Sequence, residues 1–451
     1  MTQWTFEVSF RREGGSLHAT SRWQTTTMSR HQAVSQLHFF ASILDTLFSH
    51  PDHTLSSFMP VTEEELDELW SWNYPLQPEL RFCMHEKVSE QAALNPEKIA
   101  IEAWDGTLTY RQVEDYSTDL AQTLQLLDDS PRQIIPVLFE KSRWTSVAVL
   151  AVMKAGACFA LLDPAQPEGR LRAVVQQVSA KLFISSKAQS TLAARVAPSA
   201  TIIPISASKF DKVYSPAAAQ QPKTTLAPVS PDQPLYIQFT SGSTGLPKGC
   251  IITHSQYTSG AIPRADAVGY RSHSRVLDFA SYAFDVCIDS MLCTLAHGAT
   301  LCTPSDERRM NDMSGAMRDM RVTFAGMTPS VARTLDVDIL DHLDSIALGG
   351  EGVSTSDAMS WGQRTRVVNA YGPSEATVGA TINDNVAAKP YITMGKRKGC
   401  AIWLTEPEDH NKLVPVGAVG ELLIEGPIVG DGYLNNPVSY THLTLPTILR
   451  V

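Results

Sequence analysis

Tyr236-Ile-Gln-Phe-Thr-Ser-Gly-Ser-Thr-Gly-Leu-Pro-Lys248-Gly249 is the stretch on which the reading of this chain turns. The apolar run at its start, from Leu235 to Phe239, has the length and composition of a short buried strand. Residues 240–249 then supply four hydroxyls, three glycines and one lysine. Glycines let backbone N–H groups turn toward a ligand, and the hydroxyls and lysine add donors and positive charge. Together they make an anion cradle suited to a polyphosphate. It is not a Walker A loop, because Pro247 precedes Lys248 and Gly249, not Ser or Thr, follows it.

The rest of the chain limits what such a cradle serves. At 451 residues there is room for roughly two to four domains or subdomains. A content of 43% apolar and 19% charged residues is that of an ordinary soluble globular protein. A net charge of −10 argues against a dedicated nucleic-acid binder, which needs a basic stripe. The apolar stretch 146–162 is broken by Lys154 and Gly156 and falls short of a membrane span. No positive segment followed by an apolar core marks the N-terminus as a signal peptide. Cysteines 83, 158, 250, 287, 293, 302 and 400 form no CxxC pair and read as reduced, buried thiols of a cytoplasmic protein. The twelve histidines show no HExxH or paired-ligand spacing, so no metal site made by protein side chains alone is expected.

Residues 1–60 differ in character from the remainder of the chain. Residues 4–10 alternate as a strand would. Residues 29–47 place Ala33, Leu37, Phe40, Ile43, Leu44 and Leu47 at helical spacing behind Ser29 as N-cap. That segment is too small to bury a core alone. Residues 61–82 read as a linker in which Trp70, Trp72 and Tyr74 dock on the next domain. From Cys83 onward helices (85–94, 109–127, 145–155, 169–178) alternate with short apolar strands (99–104, 134–138, 159–162, 181–184). This alternation predicts an open, mainly parallel sheet covered by helices on both faces. Residues 215–233 read as a loop. Further strands are expected at 322–325, 345–348 and 367–368, and a hairpin-type element at 416–424.

Six short motifs occur in order between residues 108 and 434. They are Leu108-Thr-Tyr-Arg-Gln-Val113, Met153-Lys-Ala-Gly-Ala-Cys-Phe-Ala-Leu-Leu-Asp-Pro164, the phosphate loop, Phe284-Asp285, Asn369-Ala-Tyr-Gly-Pro-Ser-Glu375, and Gly420-Glu-Leu with Gly432-Tyr-Leu434. In this order they resemble the adenylation domain of a fungal-type nonribosomal peptide synthetase, in the adenylate-forming superfamily. The first two motifs read as structural. The resemblance implies an α/β fold: an adenylate-forming (acyl-CoA synthetase/luciferase-like) core of two stacked α/β subdomains plus a small β-rich one, occupying 83–437. The implied reaction is ATP-dependent activation of an amino acid as its adenylate, with release of pyrophosphate, for loading onto a phosphopantetheine carrier.

The resemblance assigns catalytic roles to Thr240, Lys248 and Glu375, the last as the Mg²⁺ ligand. ATP would be held by Thr240, Ser241, Gly242, Ser243, Thr244, Gly245, Lys248, Gly349, Gly350, Glu351, Asn369, Ala370, Tyr371, Gly372 and Ser374. In that set Tyr371 stacks on adenine and Asn369 reads the base edge. Ser374 stands where the family usually has Thr. The substrate pocket would be lined by Asp285, Val286, Asp289, Gly326, Ala347, Gly349, Ala370, Val378 and Gly379. Asp285 lies in the apolar, aromatic run 279–288, where a carboxylate is expensive unless a cation pairs with it. The family's Asp at this position binds the substrate's α-ammonium; the other reading is an exposed Asp at a helix N-terminus. Five Gly or Ala among nine lining positions suggest a wide cavity for a large side chain, such as an aromatic one. Asp289 would accept from an indole N–H or pair with a basic group there.

The family's lid subdomain, with its lysine, and a Tyr-x-Thr-Gly-Asp motif are not found in this sequence. Residues 438–451 look like translated adapter DNA, and 1–60 resemble the end of a condensation domain. The expectation is therefore a C-terminally truncated piece of a larger synthetase, weakly active by itself, whose partners are condensation and carrier domains. The rival readings are an acyl-CoA or aryl-acid ligase of the same superfamily and a non-catalytic remnant or docking module.

Overall fold

The computed structural model describes residues 6–25, 28, 30–52, 61–128, 133–210, 226–241, 247–388 and 392–435. Residues 242–246 of the phosphate loop, Ser29, residues 215–225 and the segment 438–451 lie outside the described residues.

A six-stranded sheet runs in the spatial order Lys248–Thr253, Pro234–Thr240, Cys158–Leu162, Ile134–Leu138, Leu182–Ser186, Thr201–Ile205. All its pairings are parallel except the first, which is antiparallel. Ile134–Leu138 and Cys158–Leu162 are apolar nearly throughout because helices cover both faces. The intervening helix Arg143–Lys154 is buried at every position but its first, which explains its run of Val, Ala, Leu and Met. Its terminal Lys154 is tolerated in that setting because Nζ lies 2.8 Å from the Glu114 carboxylate.

A second sheet of nine strands has the order Lys396–Arg397, Thr381–Asn383, Arg366–Tyr371, Ser345–Leu348, Phe324–Met327, Arg275–Leu277, Thr300–Thr303, Ile99–Ala103, Gly106–Thr109. Its centre is parallel and both margins are antiparallel. One apolar core joins the two sheets. It runs through the helices Tyr110–Leu127, Arg143–Lys154, His254–Val268 and Val286–Ala296. A third sheet, Asp409–Leu413, Ala401–Glu406 and Glu421–Glu425, is small and antiparallel. The fold is thus the expected pair of α/β units with a β-rich appendage.

Several local expectations are corrected. The hairpin-type element expected at 416–424 is only its last strand, Glu421–Glu425, whose partner is Ala401–Glu406. The expected strand at 4–10 is observed over Phe6–Glu13. It pairs with Ser16–Trp23 across a Gly14-Gly15 turn in which both residues have positive φ, as a two-residue hairpin turn demands. Within 61–82, Glu63–Asn73 is a helix closed by a Thr62/Glu65 capping box. Asn73 exchanges two 2.9 Å hydrogen bonds with the backbone of Ile402, and Trp70 meets Trp403 edge-on at 4.9 Å. These contacts dock the segment on the small β sheet, while Trp72 and Tyr74 remain exposed. Among the described residues no helix is long and apolar enough to cross a membrane. All seven cysteines are free and buried.

The antiparallel edge of the six-stranded sheet positions the phosphate loop. Thr240 pairs with Lys248 and Phe239 with Gly249, so the two strands that flank the loop are antiparallel partners. Gly249 is required by packing: a Cβ there would lie 2.8 Å from Ile237 Cγ2 and 2.9 Å from Phe239 Cε1. Gly249→Ala is expected to lose roughly 1–3 kcal/mol of stability through overpacking. Urea unfolding checks this, and an unchanged midpoint would contradict it.

Candidate active site

Three of the motifs meet at that antiparallel pair. Backbone 431–434 runs beside Lys248–Thr253: Ile251 N–H donates to Gly432 O, Asp431 N–H to Ile251 O, and Leu434 N–H to Gly249 O. This brings Tyr433 beside Lys248, whose Nζ lies 5.5 Å from its ring centroid. The Tyr433 hydroxyl donates to Glu375 Oε1 at 2.5 Å. Burial, then that hydrogen bond to a carboxylate, raises the phenol above its ordinary range. Glu375 is buried, and its backbone carbonyl accepts from Gly430 N–H. Lys248 and Glu375 are therefore brought together, with Tyr433 between them. Thr240 closes the strand, its hydroxyl 3.5 Å from the Lys248 carbonyl, and Ser241 is exposed. Gly242, Ser243, Thr244 and Gly245 fall outside the described residues.

The strand Arg366–Tyr371 carries Asn369, Ala370 and Tyr371 at its carboxyl end, where ligands gather in open α/β sheets. Asn369 is buried and its amide already donates to Thr393 O at 3.2 Å. Gly349 and Gly350 follow the neighbouring strand Ser345–Leu348. Glu351, by contrast, is exposed, and its Oε2 accepts from both the N–H and the hydroxyl of Ser330. Gly372 has a packing reason of its own: a Cβ would lie 2.5 Å from Gly379 Cα. The crossing segment is strained, since Thr377 and Val378 have φ of 51° and 72°. A β-branched residue in that region is a clear outlier.

Asp285 stands at the N-cap position of the helix Val286–Ala296, yet its side chain makes no capping hydrogen bond. It is 8% exposed, and its Oδ2 has no hydrogen-bond partner. The alternative of an exposed helix-end Asp is thereby corrected: the position is right, the exposure is not. Burial pushes its carboxyl up to about 6, against the Ser374 hydroxyl, which lowers it; Asp289 adds to the rise. The carboxyl thus sits beside the motif that holds Glu375.

Asp289, one helical turn later, is not free. Arg264 Nε donates to its Oδ2 and Nη2 to its Oδ1, each at 2.7 Å, and Tyr257 Oη donates at 3.0 Å. The expectation of a vacant second carboxylate is corrected, because an internal cation already occupies it. The width inferred from small residues is corrected too. A Cβ on Gly379 would meet Arg264 Cδ at 2.7 Å, and one on Gly349 would meet Ala370 O at 3.0 Å. Protein atoms fill both spaces. Of the three glycines in the set, Gly326 alone has nothing within 4 Å of an added Cβ, so a side chain there would meet open space.

A family model described as "AMP-binding enzyme" matches residues 88–434. The chain belongs to this family. It is 93% identical over 402 residues to Nonribosomal peptide synthetase 6 of Alternaria brassicicola, covering 89% of this chain and 28% of that protein. It is 48% identical over 432 residues to Nonribosomal peptide synthetase sidD of Aspergillus fumigatus, covering 96% of this chain and 20% of that protein. The chain thus spans less than a third of the length of these relatives. The AMPPNP-bound form of the nonribosomal peptide synthetase FmoA3 superposes with a TM-score of 0.77 at 20% identity, over 97% of this chain and 48% of that one. That likeness shows the fold.

Sequence reading of this AMP-binding domain missed Arg264, Tyr433 and a clamp on the segment that precedes Asp285. In the clamp, Lys141 Nζ reaches Asp278 Oδ1 at 2.5 Å and Ala280 O at 2.6 Å, and lies 4.0 Å from the Tyr282 ring centroid. Ser281 donates to Asp163, at the end of the second motif. Both contacts fasten the segment before Asp285 to the other sheet. Of these, only Tyr433 had a signal, its place in the sixth motif. Outside the site, Cys83, His85 and His254 bring their ligand atoms within 4.8 Å of one another, a convergence that spacing does not show. Burial lowers both imidazoles, His85 to about 4 and His254 to about 3, which keeps them neutral.

Proposed function

We propose that this AMP-binding domain activates an amino acid with ATP as its aminoacyl-adenylate, the adenylation step of a fungal-type nonribosomal peptide synthetase. A phosphopantetheine carrier would take the product, and condensation and carrier domains are the expected partners. The observation that carries this reading is the buried carboxylate of Asp285, which meets the Ser374 hydroxyl, stands near Glu375 and keeps Oδ2 without a partner. A buried carboxylate with a vacant oxygen is unfavourable until a cation arrives, and an α-ammonium is a cation of the right size. Acyl and aryl acids bring none.

In the proposed reaction an oxygen of the substrate carboxylate bonds to the α-phosphorus of ATP. The bond from that phosphorus to the pyrophosphate oxygen breaks, and its electron pair leaves on pyrophosphate. The chain's contribution is position and charge. Asp285 fixes the ammonium end, Tyr371 and Asn369 the base, and Thr240, Ser241 and Lys248 the phosphates. Mg²⁺, a hard cation that prefers oxygen ligands, fits the buried Glu375 carboxylate and would neutralise phosphate charge there. Tyr433 holds Glu375 in place through Oε1.

Calorimetric titration with magnesium AMPPNP, then with 5′-O-(aminoacyl)sulfamoyl adenosines, tests this reading. Both are expected to bind, and Lys248→Met is expected to weaken both by at least about tenfold, one lost charge contact of roughly 1.4 kcal/mol. A cooperatively folded chain that binds neither ligand would overturn the reading in favour of a non-catalytic module.

A further inference from the structure

We infer that Arg264 is a specificity-determining residue that masks Asp289, so that the side-chain pocket selects amino acids with uncharged side chains and rejects basic ones. This rests on the amino-acid-activating reading above. Two carboxylates stand one turn apart on the same buried helix, and the structure treats them oppositely. Asp285 keeps an oxygen without a partner. Asp289 has both oxygens engaged side-on by one guanidinium, the strong bidentate arrangement, and a tyrosine hydroxyl besides.

The mask is built into the pocket wall. Arg264 comes from the helix His254–Val268, is 3% exposed, and gives its remaining bond through Nη1 to Gly379 O at 3.0 Å. It therefore touches two of the nine expected lining positions, Asp289 and Gly379. Its stem occupies the space that a side chain at 379 would fill, and Nη1 would lie 3.1 Å from a Cβ at Gly260. At Gly260 a Cβ would meet Thr377 Oγ1 first, at 2.3 Å, so the backbone shaped to admit Arg264 is that of Gly379. A buried guanidinium keeps its proton, burial pulling its pKa down and Asp289 carrying it well up. The pair is neutral as a unit. An ammonium on the substrate side chain would meet a carboxylate already neutralised and a guanidinium of its own sign, so only the α-ammonium finds an open carboxylate. Such like-sign juxtaposition is how a pocket rejects the wrong partner.

The test measures Kd by calorimetry for sulfamoyl adenosines carrying L-glutamine, L-ornithine or L-glutamate. Wild type is expected to bind the glutaminyl derivative at least about tenfold tighter than the ornithyl one. In Arg264→Met that ratio is expected to fall by at least about tenfold, because Asp289 is unmasked. Should that variant not fold, Asp289→Asn leaves the Arg264 cation without its counter-charge and is expected to shift preference toward the glutamyl derivative. The double variant R264M/D289N is expected to restore the neutral preference. A merely structural ion pair would weaken all three ligands alike. Equal binding of glutaminyl and ornithyl derivatives to wild type, or an unchanged ratio in every folded variant, overturns the inference while leaving amino-acid activation intact. No binding of any derivative to folded wild type overturns the activation reading and the inference with it.

Discussion

Asp285→Asn is expected to make the domain more stable at pH 7, by about 3 kcal/mol, while removing its hold on the substrate. Burial, opposed by Ser374, pushes the Asp285 carboxyl up to about 6 from an ordinary 3.8. As pH rises from 3.8 the unfolded chain ionises this group first, so stability is lost until the folded group also ionises near 6. Below 3.8 the acid and the amide are equivalent neutral groups. Above 6 the deficit is constant, and about two pKa units correspond to about 3 kcal/mol. Urea unfolding from pH 3.5 to 8 checks this: the variant's advantage should open through that window and then level off. In the same protein, affinity for an aminoacyl-sulfamoyl adenosine should fall roughly 30-fold or more, the loss of one partner from a desolvated charge pair. A variant less stable than wild type at pH 7 would mean that Asp285 is already paired in the free protein.

Lys141→Ala is expected to lose about 3–5 kcal/mol, because it leaves Asp278 buried without its cation. Lys141 and Asp278 are 3% and 1% exposed, and Thr303 Oγ1 shares the carboxylate at 3.3 Å. The pair bridges the ends of strands from the two large sheets, Ile134–Leu138 and Arg275–Leu277. Replacing both members with apolar residues (K141M/D278L) should recover much of the stability. The double variant should still bind the sulfamoyl adenosine less well, since the segment that precedes Asp285 loses its anchor at Ala280 O. Thermal unfolding of the single and double variants decides this. Additive losses would show that the two side chains are not coupled.

Legibility in the sequence follows the range of the interactions. Ile134–Leu138 and Ser345–Leu348 read directly as strands, because a strand covered on both faces is apolar at nearly every position. The unusual setting of Asp285 was legible for a related reason: a carboxylate in an apolar run is costly unless it is exposed or paired, and the structure shows it buried. The antiparallel pair that flanks the phosphate loop was not legible, since Lys248-Gly249-Cys250 lacks alternation and its strand is set by pairing with Pro234–Thr240. Ala401–Glu406 and Asp409–Leu413 escaped because the first opens with four apolar residues in a row, which hides its alternating burial, and the second is mostly polar. Arg264 with Asp289, Tyr433 with Glu375, and Lys141 with Asp278 lie 25, 58 and 137 residues apart, and no local pattern announces such partners. The same blindness explains the pocket error. A glycine signals a missing side chain, but only the fold reveals that Arg264 stands where that side chain would be.

The Asp285 carboxylate is proposed as an ammonium site. Its most direct test is a calorimetric comparison of two ligands that differ only in that group, an aminoacyl-sulfamoyl adenosine and its des-amino acyl counterpart. Wild type should prefer the amino compound by roughly 30-fold or more at pH 7.5, and Asp285→Ala should erase the preference. Equal affinity of wild type for the two ligands would contradict the claim and point to an acyl-acid ligase.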